Sequence, residues 1–325
     1  MSFRIRFGLL ILAVLAVVTA STLRAQQKGQ YTPGQWGLNA GVIPAPGLTY
    51  ANMPLNYSAN KLNDSNGNHL AKVTGTYAFW VDENIIFYVP KYKVLGGYFA
   101  PYISINGASG SLVADITGTN LGTGGGGSGF ADTWVQPANL GWHLKRADVN
   151  VGYAFVAPTG RFVPGASNNV GSGYWGNDLT TGTTFYVTKN KGTSANLFTD
   201  WEAHRQKTGT NLTPGQAFTM EWGLGQILPL KKDFSRLLQL GLIGYDQWQV
   251  SSNGGTIGPI NASSVPFYSV HAIGFQSNFI VPPKNLNLFF KYEGEYRALA
   301  RPQGRTIVFG FSWTFRIPKP VPPKP

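Results

Sequence analysis

Carboxylates and a histidine recur at intervals of two in Asp200-x-Glu202-x-His204. On a β-strand that interval puts all three side chains on one face, close enough for acid–base chemistry. Catalysis would also need a nucleophile, and no serine stands in a recognisable nucleophile setting. The other histidines, His69, His143 and His271, fall in turns or at ambiguous positions. Two or three ligands on one strand do not close a coordination sphere, so neither a metal nor a cofactor is expected. The absence of cysteine excludes thiolate sites and disulfides together. The glycine-rich run Gly122–Gly129 is followed by no Gly-Lys-Ser/Thr, so it is not a phosphate loop and reads as a flexible external loop.

These residues sit in a chain of 325 residues with 43% hydrophobic but only 12% charged side chains, together with 41 glycines and 21 prolines. Helical bundles and α/β enzymes draw heavily on Ala, Leu, Glu and Lys, so this composition points to an all-β protein. Met1 to Ala25 has the form of a secretory signal. Arg4 and Arg6 precede the apolar stretch Phe7–Val18, and Ala25 or Ala20 is the small residue at the cut. That stretch is too short to span a bilayer. Its removal takes Arg4, Arg6 and Arg24 and no acid, so the net charge falls from +12 to +9. With an export signal and no basic cluster, this charge does not point to nucleic acid.

Alternation of apolar and polar residues fills most of the remaining chain, the pattern of strands buried on one side only. In Gly304–Arg316, Ile307, Phe309, Phe311, Trp313 and Phe315 share one face. Eleven earlier segments read the same way: Leu48–Ser58, Asn68–Val81, Leu95–Ile105, Gly129–Pro137, Asp148–Pro158, Asp178–Thr188, Ser194–Gln206, Ala217–Leu228, Leu237–Val250, Phe267–Ile280 and Asn285–Arg297. A soluble sandwich alternates too, but here the apolar faces are long and aromatic, and the connections alternate in length. Lys189–Thr193, Pro229–Arg236 and Val281–Lys284 are short, whereas Asn106–Ser128, Thr159–Asn177 and Ser251–Pro266 are long. Short periplasmic turns opposite long external loops mark outer-membrane barrels.

The expected fold is therefore a transmembrane antiparallel up-and-down β-barrel over residues 48–316. It has about 12 strands, with roughly 10–14 compatible with the weaker segments. Its place is the outer membrane of a Gram-negative-type cell. Residues 26–47 form either an extra half-strand or a lumen-filling segment, and 317–325 a proline-rich periplasmic tail.

If the aromatic faces meet lipid, parity sends Asp148, Asp200, Glu202, Glu221, Glu293 and Glu295 into the lumen, with His204. Lys72, Lys291 and Arg297 are the inward cations. The set is either a polar gate or a salt-bridge network bracing the interior. Its excess of acids predicts a small, cation-preferring conductance. Tyr98, Tyr102, Trp134, Tyr186, Phe198 and Tyr245 interrupt the polar inner face. They form either a path for apolar or aromatic solutes or a plug of bulky side chains.

Three motifs resemble those of the outer-membrane transporter family named for the phenol meta-pathway: Gly129-Phe130-x-Asp132-x-x-Val135-Gln136-Pro137 with Gly141-Trp142, Ala157-Pro158-Thr159-Gly160-Arg161-Phe162, and Tyr174-Trp175-Gly176-Asn177. Gly244-Tyr245-Asp246-Gln247-Trp248 is a looser fourth match. The resemblance covers roughly residues 48–316 and implies an outer-membrane barrel that admits hydrophobic compounds. Phe315 would then be the terminal aromatic read by the barrel-assembly machinery, although this chain continues to Pro325. The expected partners are outer-membrane lipid, that machinery and a small hydrophobic solute. The leading functional reading is a non-enzymatic conduit for such solutes, ahead of a structural or surface-interaction barrel with a plugged lumen and of an outer-membrane hydrolase.

Overall fold

A computed structural model describes residues 29–117 and 122–315. The leader and the proline-rich tail lie outside the described residues. Twelve long antiparallel strands close into a barrel: β1 (Gly47–Leu62), β2 (Val73–Val89), β3 (Tyr102–Ile116), β4 (Thr133–His143), β5 (Ala147–Ala157), β6 (Gly176–Tyr186), β7 (Thr193–His204), β8 (Ala217–Pro229), β9 (Leu237–Gln249), β10 (Ser269–Val281), β11 (Leu286–Leu299) and β12 (Pro302–Phe315). Each pairs with its chain neighbour, and β1 pairs with β12 from Leu48↔Phe315 to Leu62↔Pro302. Closure leaves each of the twelve wall strands with a neighbour on both sides, the condition for β-structure in lipid. Gly47 begins the closing seam at φ 147°, where a Cβ would stand 2.3 Å from the Phe315 carbonyl oxygen. Only glycine fits there.

Two places depart from the sequence expectation. Gly122–Gly129 is not a loop: Gly122–Phe130 is a strand pairing with Gly107–Asp115, so β3 and this glycine-rich strand form a hairpin beyond the barrel wall. Below it, β3 pairs with β4 only over Tyr102–Ser104, and the short strand Gly97–Phe99 continues the contact through Tyr98↔Gly141 and Phe99↔Leu140. The second departure is the inner face of β1 and β2. Register places Tyr57 against Phe79, both turned inward and stacked at 5.2 Å, while Trp80 is half exposed on the outside. The aromatic face of β2 thus lines the lumen, opposite to the parity expected of it. Its outer face carries Asp82 and Asn84, which bond to Asn52 and Tyr50 of β1.

On the other strands the expected parity holds, in β11 only as far as the register shift before Arg297. Leu179, Leu224, Leu242, Phe275 and Phe309 are exposed outward, whereas Thr180, Thr219, Gln239, Gln247 and Asn278 are buried within. An arginine on the lipid face costs roughly 2–4 kcal/mol near the bilayer midplane. Phe309→Arg should therefore lower stability by about that amount in bilayer unfolding titrations. Ser312→Arg, which points into the lumen, should cost clearly less; equal losses would contradict this assignment of faces.

Candidate functional site

Residues 29–46 run through the barrel interior before entering β1, and a single carboxylate organises them. Glu221 of β8 accepts the amides of Gly34 (2.8 Å), Gln35 (3.2 Å), Trp36 (2.7 Å) and Gly37 (3.2 Å), together with the Tyr31 hydroxyl (2.5 Å). Successive amides converge on one anion only if the backbone curls, and Gly34 (φ 98°) and Gly37 (φ 63°) supply the curl. A side chain at either position would also collide, with Glu293 Oε2 or Gln276 Oε1. The carbonyls of the same loop point the other way. Lys291 of β11 donates to those of Gly34 (3.2 Å), Gln35 and Trp36 (2.9 Å). The loop's peptide dipoles thus lie between a buried anion and a buried cation.

The inward polar residues of β5 to β10 satisfy the rest of the segment. Gln276 accepts the Leu38 amide at 2.9 Å, Asn196 that of Asn39 at 2.9 Å and Thr184 that of Gly41 at 3.0 Å. Asn150 donates to the Ala40 carbonyl at 2.9 Å. At the far end Gln30 Nε2 donates to Ser172 Oγ (2.6 Å) and the Tyr174 carbonyl (3.0 Å), and the Gly29 amide to Tyr268 (2.7 Å). Ser172 is itself held by Asp132, which also accepts the Gly160 amide at 3.0 Å. The first three sequence motifs therefore meet in the external loops and grip the tip of the segment. Burial in those loops raises the Asp132 carboxyl, opposed by the Ser172 and Gly160 bonds. Burial likewise pulls the nearby Lys207 ammonium down to about 8, with Asp132 acting against it.

Beside the segment lies a cavity of about 870 Å³, lined by β1 to β4, by the segment itself, by the external loops and by inward residues of β5 to β7 and β9 to β12. One side of its wall is apolar and aromatic, with Met53, Tyr57, Tyr77, Phe79, Ile85 and Phe87 of β1 and β2 beside Tyr102 and Trp134, while Ser104, Asn106, Gln136, Asn139, Gln276 and Asn278 make the rest polar. Thr49 and Thr314 mark one end, Phe162 and Val170 of the β5–β6 loop the other. The charged residues on its lining balance, with Glu83, Asp132 and Glu295 against Lys207, Lys291 and Arg301.

Of the residues singled out in the sequence, Asp148, Asp200, Glu202, Glu221, Lys291, Glu293 and Glu295 are buried inside the barrel, and the His204 side chain with them. They do not form one ring. Asp148 bonds His143 (3.0 Å) and the Tyr186 hydroxyl near the short-turn end. Glu295 binds Tyr57, Tyr245 and Arg301 close to the opposite end. His204 is fixed through both ring nitrogens, Nδ1 with the Gly215 carbonyl at 2.8 Å and Nε2 with Glu202 at 3.3 Å. Neither nitrogen is left to act as a base.

Two expected lumen cations are not there. Lys72 is exposed in the turn before β2. Arg297 is exposed because a register shift between His271 and Ala272 of β10, opposite Arg297 and Glu295, resets the parity of β11. The cation that takes its place is Arg301, 2% exposed, with Glu295 at 3.5 Å and Gln247 at 3.2 Å. Of the expected aromatics, Tyr102, Trp134, Tyr186, Phe198 and Tyr245 line the cavity. Tyr98 instead packs with Ile43, Val89 and Ala100 under the Lys93 ammonium. Glu83 and Asp178 were missed. Asp178 has the parity of Tyr186 on the same strand, so the signal for it was present.

A closed twelve-stranded barrel with polar residues turned inward defines an outer-membrane β-barrel protein. The chain belongs to the family described as "Putative MetA-pathway of phenol degradation", which matches residues 59–311. Its fold is similar to the COG4313 outer membrane channel from Pseudomonas putida F1 (TM-score 0.68, 15% identity, covering 88% of this chain and 100% of that one). It is also similar to the β domain of the Bordetella autotransporter BrkA (0.51, 11%, 83% and 100%) and to the transport unit of the Escherichia coli autotransporter AIDA-I (0.50, 11%, 93% and 98%). No curated protein matches the chain.

Removing one partner of a buried ionic arrangement costs roughly 3–5 kcal/mol, because the other is left uncompensated. Glu221→Gln should accordingly loosen residues 31–37 while the barrel keeps its heat-modifiable gel mobility. Single-channel recordings in planar bilayers should show a larger and noisier conductance than the unmodified protein; an unchanged trace would mean that Glu221 does not anchor the segment.

Proposed function

We propose that the barrel is a channel admitting small hydrophobic solutes of aromatic size. The observation that carries this reading is the aromatic cluster that β1 and β2 place on the wall of the 870 Å³ cavity. Ligand pockets typically span about 300–1,000 Å³ and combine apolar walls with a few placed polar groups. The likeness to a solved outer membrane channel and the family's link to phenol degradation point the same way. The test is influx of N-phenyl-1-naphthylamine, a dye that intact outer membranes exclude. Cells carrying the protein should take it up faster than cells carrying an empty vector, and Ala108→Arg, which puts a charge on the cavity wall, should return influx to the vector rate. Influx equal to that of the vector control with correctly inserted protein would overturn the proposal.

The cavity's charges also revise the expected selectivity. Asp148, Asp178, Asp200, Glu202, Glu221 and Glu293 lie off the cavity lining, on the flank that residues 29–46 occupy. Pore selectivity follows the charges that line the path. Reversal potentials in a salt gradient should therefore lie close to zero rather than at the cation limit; strong cation preference would place the ion path on the acidic flank instead. A second reading, a structural barrel with a plugged lumen, is favoured by the anchoring of residues 29–46. Dye influx separates the two.

A further inference from the structure

We propose that Asp178, Asp200 and Glu202 bind a divalent cation of the calcium type, which ties residues 29–31 to the barrel wall. Pairing of β6 with β7 sets Asp178 directly opposite Glu202, and Asp200 lies two residues before Glu202 on the same face. One oxygen from each carboxylate comes within 4.8 Å of the other two. All three side chains are buried, at 1%, 0% and 0% exposure. Like charges opposed across a strand pair repel, and a buried carboxylate without a partner is among the costliest groups a fold can hold.

The hydrogen bonding of these groups is what points to a ligand. Among the described residues, both oxygens of Asp178, both of Asp200 and Oε1 of Glu202 have no hydrogen-bond partner. Only Glu202 Oε2 is engaged, by the Tyr31 amide at 3.0 Å and His204 at 3.3 Å. A cation among the three converging carboxylate oxygens, one from each residue, would satisfy groups that are otherwise orphaned. Gln30 Oε1 is also without a partner. It lies over Gly176, two residues from Asp178, where a Cβ would stand 2.1 Å from it. It offers a neutral oxygen from the segment itself.

The donor set is oxygen alone, with His204 Nδ1 on the Gly215 carbonyl and Nε2 on Glu202 Oε2, which selects a hard cation over a transition metal. Magnesium keeps several waters and usually takes only one or two carboxylates, whereas calcium accepts six to eight oxygens at 2.3–2.6 Å in flexible geometry. Three buried carboxylates favour calcium. None of them lines the apolar cavity, so the site stands whether or not solutes pass there.

The test uses the full mature chain folded in detergent micelles. Melting is followed with calcium chloride, with magnesium chloride, and after chelation, for the unmodified protein, Asp200→Asn and, as a control in a distant turn, Asp233→Asn. Calcium should raise the melting temperature of the unmodified and control proteins, with magnesium acting more weakly. In chelator, Asp200→Asn should melt above the unmodified protein, since it removes a repulsive charge; in calcium the order should reverse. Terbium, a calcium substitute, should show sensitised emission that Asp200→Asn abolishes. Melting that ignores calcium, or an asparagine variant that is the more stable under both conditions, would overturn the site and mean that the carboxyls share protons instead.

Discussion

Glu221 and Lys291 face each other across the lumen with one loop of backbone between them, and the arrangement of the interior follows from that placement. Neither charge is stable alone inside a barrel this narrow, where the surrounding dielectric is low. Residues 34–37 present amides to one and carbonyls to the other, so each peptide dipole is aligned with the field of the pair. The two glycines permit the curl, and Tyr31 and Trp36 then fall on either side of Phe198, at 5.5 and 5.3 Å. With that loop fixed, the chain before it reaches the external loops and the chain after it descends along β6 and β7 to Gly47. The segment owes its course less to its own sequence than to the carboxylate and ammonium that receive it.

This course divides the lumen. Along β5 to β10 many inward side chains are Thr, Asn, Gln and acids, which meet the donors and acceptors of the segment's unpaired backbone, with Phe198, Ile243 and Tyr245 among them. Along β1 and β2 the inward side chains become Met53, Leu55, Tyr57, Phe79, Ile85 and Phe87, whereas β3 and β4 turn Ser104, Gln136 and Asn139 inward. Tyr57 shows the boundary within one residue. Its ring joins the aromatic cluster with Tyr77 and Phe79, and its hydroxyl reaches Glu295 at 2.9 Å. The apolar flank and the plugged flank are two consequences of one docking event.

The division also explains which parts of the molecule were legible in the sequence. Where lipid lies on one side and hydrogen-bonding backbone on the other, the two faces of a strand differ in kind and period two is unambiguous. Ile307 to Phe315 and the Asp200, Glu202, His204 set read correctly for that reason. β2 has apolar groups on its cavity side, so its aromatic face was taken for the lipid face and Glu83 was lost with it. Arg297 failed for a different reason: one bulge in the β10–β11 ladder reverses everything beyond it, and alternation alone does not reveal a bulge. The Gly122–Phe130 strand has almost no side chains with which to alternate. The path of residues 29–46 rests on partners as far as 257 positions away, which no local pattern carries.

Three attachments restrict what the segment can do. Its tip is bonded to Ser172, Tyr174 and Tyr268, its middle to Glu221 and Lys291, and its end is covalently continuous with β1. Ejecting it would expose all of these groups at once, including the two charges. The cavity, by contrast, exists with every one of those contacts made, and its lining already includes Thr49 near the end where β1 begins and Phe162 in the external loops. A solute therefore has room beside the docked segment, and the free energy that holds the segment need not be overcome for that space to exist. On this argument the segment is not a stopper that must leave. It is the fourth side of the cavity, and its rigid attachment is what keeps an apolar space open beside a polar one in so narrow a barrel.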